Sequence, residues 1–173
     1  MEIKASSKYD YITVKTFQKF HFRTKFKALN ILIFAATIFM LFAFTITAIY
    51  SYIDSQMIFS GVIFVIMLMG MLFVYFCMPK ISYERDKVIK EAENNFLFGE
   101  EIEIISKNNY QTTSSTLNYN AIWRVYENKN YIYIYLEPNK AEIVDKSTVT
   151  GGTAMDLRAF LLSMVGSKKY IIA

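Results

Sequence analysis

The sequence predicts a membrane α-helical hairpin carrying a small α+β domain, a curled antiparallel β-sheet closed by a carboxy-terminal helix. Three observations lead there. Two long uncharged apolar runs lie three residues apart, at 28–53 and 57–78. From Glu100 onward the hydrophobic period drops to two, the mark of half-buried strands. After Gly151-Gly152 the pattern becomes helical again, over Thr153–Val165.

The runs come first. A helix rises about 1.5 Å per residue and the hydrocarbon core is about 30 Å thick, so roughly 20 apolar residues suffice to cross it. The runs hold 26 and 22 residues. A secretory leader has an apolar core of only about 7–15 residues, so the first run is too long for one. The composition leans the same way, with 54% hydrophobic residues and 20% charged. Aromatics at 17% exclude a disordered chain, and one cysteine, Cys77, excludes a disulfide scaffold.

Topology follows from charge. Residues 1–27 carry seven basic residues against Glu2 and Asp10, a balance of +5, while the connector Asp54-Ser55-Gln56 has no basic residue. Lys80, Arg85, Lys87 and Lys90 follow the second run. Short loops rich in Lys and Arg stay cytoplasmic, so both termini are expected inside. Four segments result: a basic juxtamembrane arm at 1–27, the hairpin at 28–78, a charged linker helix at 79–98 ended by Phe98-Gly99, and a β-rich domain at 99–173. In the arm, Lys15, Lys19, Arg23 and Lys27 recur every four residues, and Lys25 and Lys80 sit at the ends of the runs. These six form the expected anionic-lipid and topology set. Pro79 is expected to end the second helix. Glu2–Ser6 is a candidate short strand that docks on the later domain.

Beyond the linker, five strands are expected. Ile102 and Ile104 alternate with Glu101 and Glu103; Tyr110–Leu117 is polar and exposed; Ile122–Glu127 follows; Tyr131–Leu136 places Tyr131, Tyr133 and Tyr135 on one face; Ala141–Asp145 is the fifth. Asn-rich turns separate them. In the last helix Met155, Phe160, Leu161 and Met164 are available for packing.

At these residues a resemblance emerges. Tyr119-x-x-Ile122-x-Arg124-Val125-x-Glu127, Tyr131–Tyr135, Ala141-x-Ile143-Val144-x-Lys146 and Phe160-Leu161 resemble the carboxy-terminal domain of the YcxB-like family of bacterial membrane proteins. The resemblance implies a pleckstrin-homology-like barrel on a membrane hairpin, in a bacterial inner membrane, with no established biochemical activity.

The residue types leave little room for catalysis. The chain has one histidine, His21, and one cysteine, at opposite ends of the hairpin sequence, and no orienting carboxylate is indicated for them. Gly151-Gly152 lacks the Lys and spacing of a phosphate-cradling loop. No cofactor and no metal site are expected. Residues 96–173 balance eight basic against eight acidic residues, which argues against nucleic acid as a partner. The expected function is therefore a non-enzymatic scaffold or regulator acting on a protein partner or on another copy of itself. Trp123, Arg124, Tyr131, Tyr133 and Tyr135 are the candidate partner surface, although a tryptophan in a small β domain is more often core. A lipid-headgroup module, or an accessory subunit of a membrane enzyme or transporter, is the alternative.

Overall fold

The computed structural model describes residues 2–25, 27–49, 55–85 and 90–172. The chain divides into two compact units, one formed by Met1–Thr13 with Asp86–Ala173 and the other by Val14–Arg85.

The first unit is built on two four-stranded sheets. Strands β1 (Ile3–Lys8), β2 (Glu93–Phe98), β3 (Ile102–Lys107) and β4 (Thr112–Leu117) pair antiparallel in that order. Period-two patterning sets their inward face: Ile3 opposes Phe98, Ala5 opposes Phe96, and all four are buried. Asn108 shapes the β3–β4 turn, its Oδ1 accepting from the N–H groups of Tyr110 and Gln111, both at 2.8 Å.

The second sheet contains β5 (Arg124–Glu127), β6 (Tyr131–Glu137), β7 (Lys140–Asp145) and β8 (Tyr170–Ile172), ordered β7-β6-β5-β8. Only β8 runs parallel to its neighbour. Asn128 makes the β5–β6 turn as Asn108 does the other, accepting from the N–H groups of Asn130 and Tyr131. Helix α4 (Ala154–Val165) starts at a reciprocal cap: Thr153 Oγ1 accepts from the Asp156 N–H, and the Asp156 carboxylate accepts from the Thr153 N–H. It buries Leu157 and Leu161 against Phe96, Val125 and Ile134 in one hydrophobic core.

Several expectations are corrected here. The linker helix over 79–98 is replaced at its end by strand β2, whose inward residues Asn94, Phe96 and Phe98 sit behind the mixed charges that suggested a helix. The strand proposed at Glu2–Ser6 exists as β1 and completes that sheet. The sheets do not close into a barrel. No ladder joins β4 to the second sheet, and the backbone link between the sheets is the Lys4–Thr150 pair, bonded in both directions at 2.8 and 2.9 Å. Met155 and Met164 are exposed, because the helix turns its Leu157–Leu161 side inward. Strand β8 was not expected at all.

The second unit is helical: α1 (Tyr11–Lys25), α2 (Lys27–Ile49) and α3 (Ser55–Arg85). Asp10 caps α1 from the strand side, its Oδ1 accepting from the Thr13 N–H at 2.7 Å. Pro79 does not end α3, which continues to Arg85. A proline removes one backbone bond, a local cost of about 3 kcal/mol that the turns on either side survive. Among the described residues no helix is long and apolar enough to cross a membrane. The hairpin at 28–53 and 57–78 therefore rests on the sequence. Its connector lies partly outside the described residues, which omit 50–54.

Candidate interaction surface

Two places in the first unit gather chemistry, and they differ in kind. The first is an inward carboxylate. Glu127 alternates with Tyr126 on β5 and so points to the core side with Val125; it is 1% exposed. An isolated buried charge would cost several kcal/mol. Here Arg158 of α4 grips it with two parallel bonds, Nε to Oε2 and Nη2 to Oε1, both 2.6 Å. Lys146, just after β7, donates to Oε1 at 2.6 Å, and the Tyr170 hydroxyl of β8 donates to Oε2 at 2.8 Å. Burial pushes the carboxyl pKa up, but the bonds from Arg158, Lys146 and Tyr170 outweigh it and hold it at about 2. Every lone pair is used, so the cluster ties α4, β5, β8 and the end of β7 together. It offers nothing to a substrate.

The second place is an open strand. β4 is the outer strand of its sheet, and its residues Thr112, Thr113, Ser114, Ser115 and Thr116 are exposed on both faces. Natural sheets guard such edges with Lys, Pro, inward charges or bulges. β4 has no charge and no proline, and its pairing to β3 runs through six residues without a shift. Its outward N–H and C=O groups are a template for another strand.

The candidate partner residues divide. Trp123 is 40% exposed, not buried in the core as a tryptophan of a small β domain more often is; it sits before β5, where its backbone N–H donates to the Tyr135 carbonyl. The Arg124 guanidinium lies 4.8 Å from the Trp123 ring centroid and its Nη1 donates to the Tyr126 hydroxyl at 3.3 Å. Tyr131 is half-buried. Tyr133 and Tyr135 are buried, so they leave the partner surface: Tyr135 meets Trp123 and Tyr126 edge-on, and the Tyr133 hydroxyl accepts from Asn128 Nδ2. Burial pushes the Tyr133 hydroxyl pKa up to about 12. The exposed remainder is Trp123 with Arg124; half-buried Tyr131 lies at the other end of the β5–β6 pair, by the Asn128 turn.

The basic set falls on the helices. Lys15, Lys19 and Arg23 lie on α1, the first two half-buried and Arg23 exposed. Lys80 is exposed on α3 and 3.9 Å from Glu84, a surface pair of small energetic weight. The side chains of Lys25 and Lys27 lie outside the described residues. The His21 ring tilts against Phe17, with centroids 5.8 Å apart. Among the described residues no group of acidic, His or Cys side chains is disposed to hold a metal ion. Between α2 and α3 an apolar hollow of about 520 Å³ is lined by Leu41, Val62, Phe64, Ile66 and neighbours, without a titratable group.

The Glu127 cluster escaped sequence reasoning because its members lie at 127, 146, 158 and 170. One signal was there: alternation with Val125 places a charged residue at an inward position.

No curated protein matches the chain, and no solved structure does. The family model described as YcxB-like protein matches residues 98–161, from the end of β2 into α4, and that part of the chain is YcxB-like.

Proposed function

We propose that the chain is a membrane-anchored, non-enzymatic interaction module, in which the first unit lies on the cytoplasmic side and receives an extended protein segment along β4. The observation that carries the interaction is the unguarded edge of β4, whose residues 112–116 are exposed on both faces. Backbone pairing supplies affinity there, and side chains on alternate positions supply selectivity.

Two further observations support the anchor. No Asp, Glu, Lys or Arg occurs between Ala28 and Ile53 or between Met57 and Met78. On α2 and α3, Phe34, Phe39, Phe42, Phe59 and Ile66 are each more than 60% exposed, far beyond the apolar surface that water tolerates. Lys8 pairs with Glu93 across β1 and β2, so the stretch between them starts and ends in one sheet. A polypeptide tied that way crosses a bilayer an even number of times, which agrees with two spans and with positive flanks on the inside. The lipid-headgroup alternative has less behind it, since residues 96–173 carry no net charge and the β3–β4 turn offers only Lys107.

Both halves of the reading are testable on the full chain in native membranes. In a Cys77→Ser background, Ser55→Cys should react with a membrane-impermeant maleimide from outside and Ser114→Cys should not; the reverse pattern overturns the topology. A photo-reactive benzoylphenylalanine at Ser114 should give a discrete covalent adduct on illumination. No adduct from 112, 114 or 116 overturns strand addition at β4.

A further inference from the structure

We infer that the strand received by β4 is β4 of a second copy, paired antiparallel about a two-fold axis at Ser114, so that two sheets join into one of eight strands. This rests on the reading of β4 as the binding edge and names its occupant.

The argument is one of register. In an antiparallel pair, directly opposed residues must turn their backbone groups the same way, so only registers that pair residues of equal parity are allowed. A two-fold axis at Ser114 satisfies this. It opposes Ser114 to Ser114, Thr112 to Thr116 and Thr113 to Ser115.

The strand behind decides between this register and its neighbours. Within one copy, Lys107 opposes Thr112, Ile105 opposes Ser114 and Glu103 opposes Thr116. Glu103, Ile105 and Lys107 all lie on the exposed face of β3. Extending the rows through the axis gives a central line of Ile105, Ser114, Ser114 and Ile105. Above it runs Lys107, Thr112, Thr116 and Glu103, and below it the same line reversed. Each lysine of one copy thus shares a row with a glutamate of the other, three strand spacings of about 4.8 Å away, and the two opposite charges attract over the short hydroxyl side chains between them without touching. Moving the axis by one residue, to Thr113 or Ser115, takes Lys107 out of the row of the other copy's Glu103. A chemically unrelated partner has no reason to be complementary to this strand's own charge order; a second copy is so by symmetry.

Opposed side chains in such a pair have Cβ atoms about 4.5–5.5 Å apart, within disulfide reach after small adjustment. The full-length Cys77→Ser chain, in purified native membranes with copper-phenanthroline, provides the test. Ser114→Cys should form a chain-to-chain disulfide in most of the protein. Thr112→Cys alone should form at least tenfold less, and an equal mixture of Thr112→Cys and Thr116→Cys chains should cross-link between the two kinds. Ser114 and Thr112 are both exposed, so the substitutions leave the fold intact. Cross-linking of Ser114→Cys no stronger than that of Thr112→Cys overturns the self-pairing. If the photo-adduct at Ser114 persists in that case with a mass other than twice the chain's, strand addition stands and only its occupant is wrong. If neither forms, both fail.

Discussion

Replacing Glu127 with Gln should unfold the first unit at a temperature roughly 12–24 °C lower. The carboxylate is buried and receives four hydrogen bonds from Arg158, Lys146 and Tyr170. Removing one partner of a buried ion pair costs about 3–5 kcal/mol, because the cations left behind are uncompensated. Lys146 and Arg158 keep some solvent, at 17% and 34% side-chain exposure, which places the effect near 3 kcal/mol. In a domain of this size each kcal/mol moves the melting temperature by roughly 4–8 °C. The same residue predicts an acid response. Its folded pKa, about 2, lies below the ordinary carboxylate value of about 4.3. The stabilisation is therefore complete above that ordinary value and disappears as the pH falls through 2. Thermal melts of the parent and Glu127→Gln at pH 7, 4 and 2.5 should converge toward the acid end. A constant gap across that range would mean that the carboxylate is not held ionised by its neighbours.

Gly151→Ala should cost about 2–4 kcal/mol, for a different reason. Gly151 has φ +76°, a conformation that L side chains seldom adopt, and an added Cβ would run into the Glu2 carbonyl oxygen. Backbone strain contributes about 1 kcal/mol and the enforced displacement about 1–3 kcal/mol more. The displaced element is the start of β1, which is bonded to Thr150 through Lys4. Amide exchange should therefore speed up in β1 and at Thr150 well before it does in β6. Uniform acceleration across all strands would argue that the glycine matters globally rather than at that crossing.

Legibility of the fold tracked the strength of local patterning. β6 alternates tyrosine with isoleucine and leucine over six residues and was plain in the sequence; so were the Asn turns and the helix that begins just after Thr153. β2 was hidden because Glu91 and Glu93 extend a charged stretch up to its first residue, and helix and strand periods cannot be told apart over so short a window. β8 has three residues, and its existence depends on the parallel edge that β5 presents, a tertiary fact. At the candidate surface, the exposed polar run of β4 was readable as a strand, but its standing at the sheet's border was not. The tyrosine face was misjudged for the complementary reason: alternation reveals that two faces differ, not that both are covered.

The pairing of β1 with β2 also bears on biosynthesis. Residues 3–8 leave the ribosome well before their partner at 93–98, which follows after more than eighty others, at about 5–20 residues per second a wait of several seconds. Throughout that interval β1 lacks the ladder it will join, and the sheet stays one element short until the intervening helices have been made.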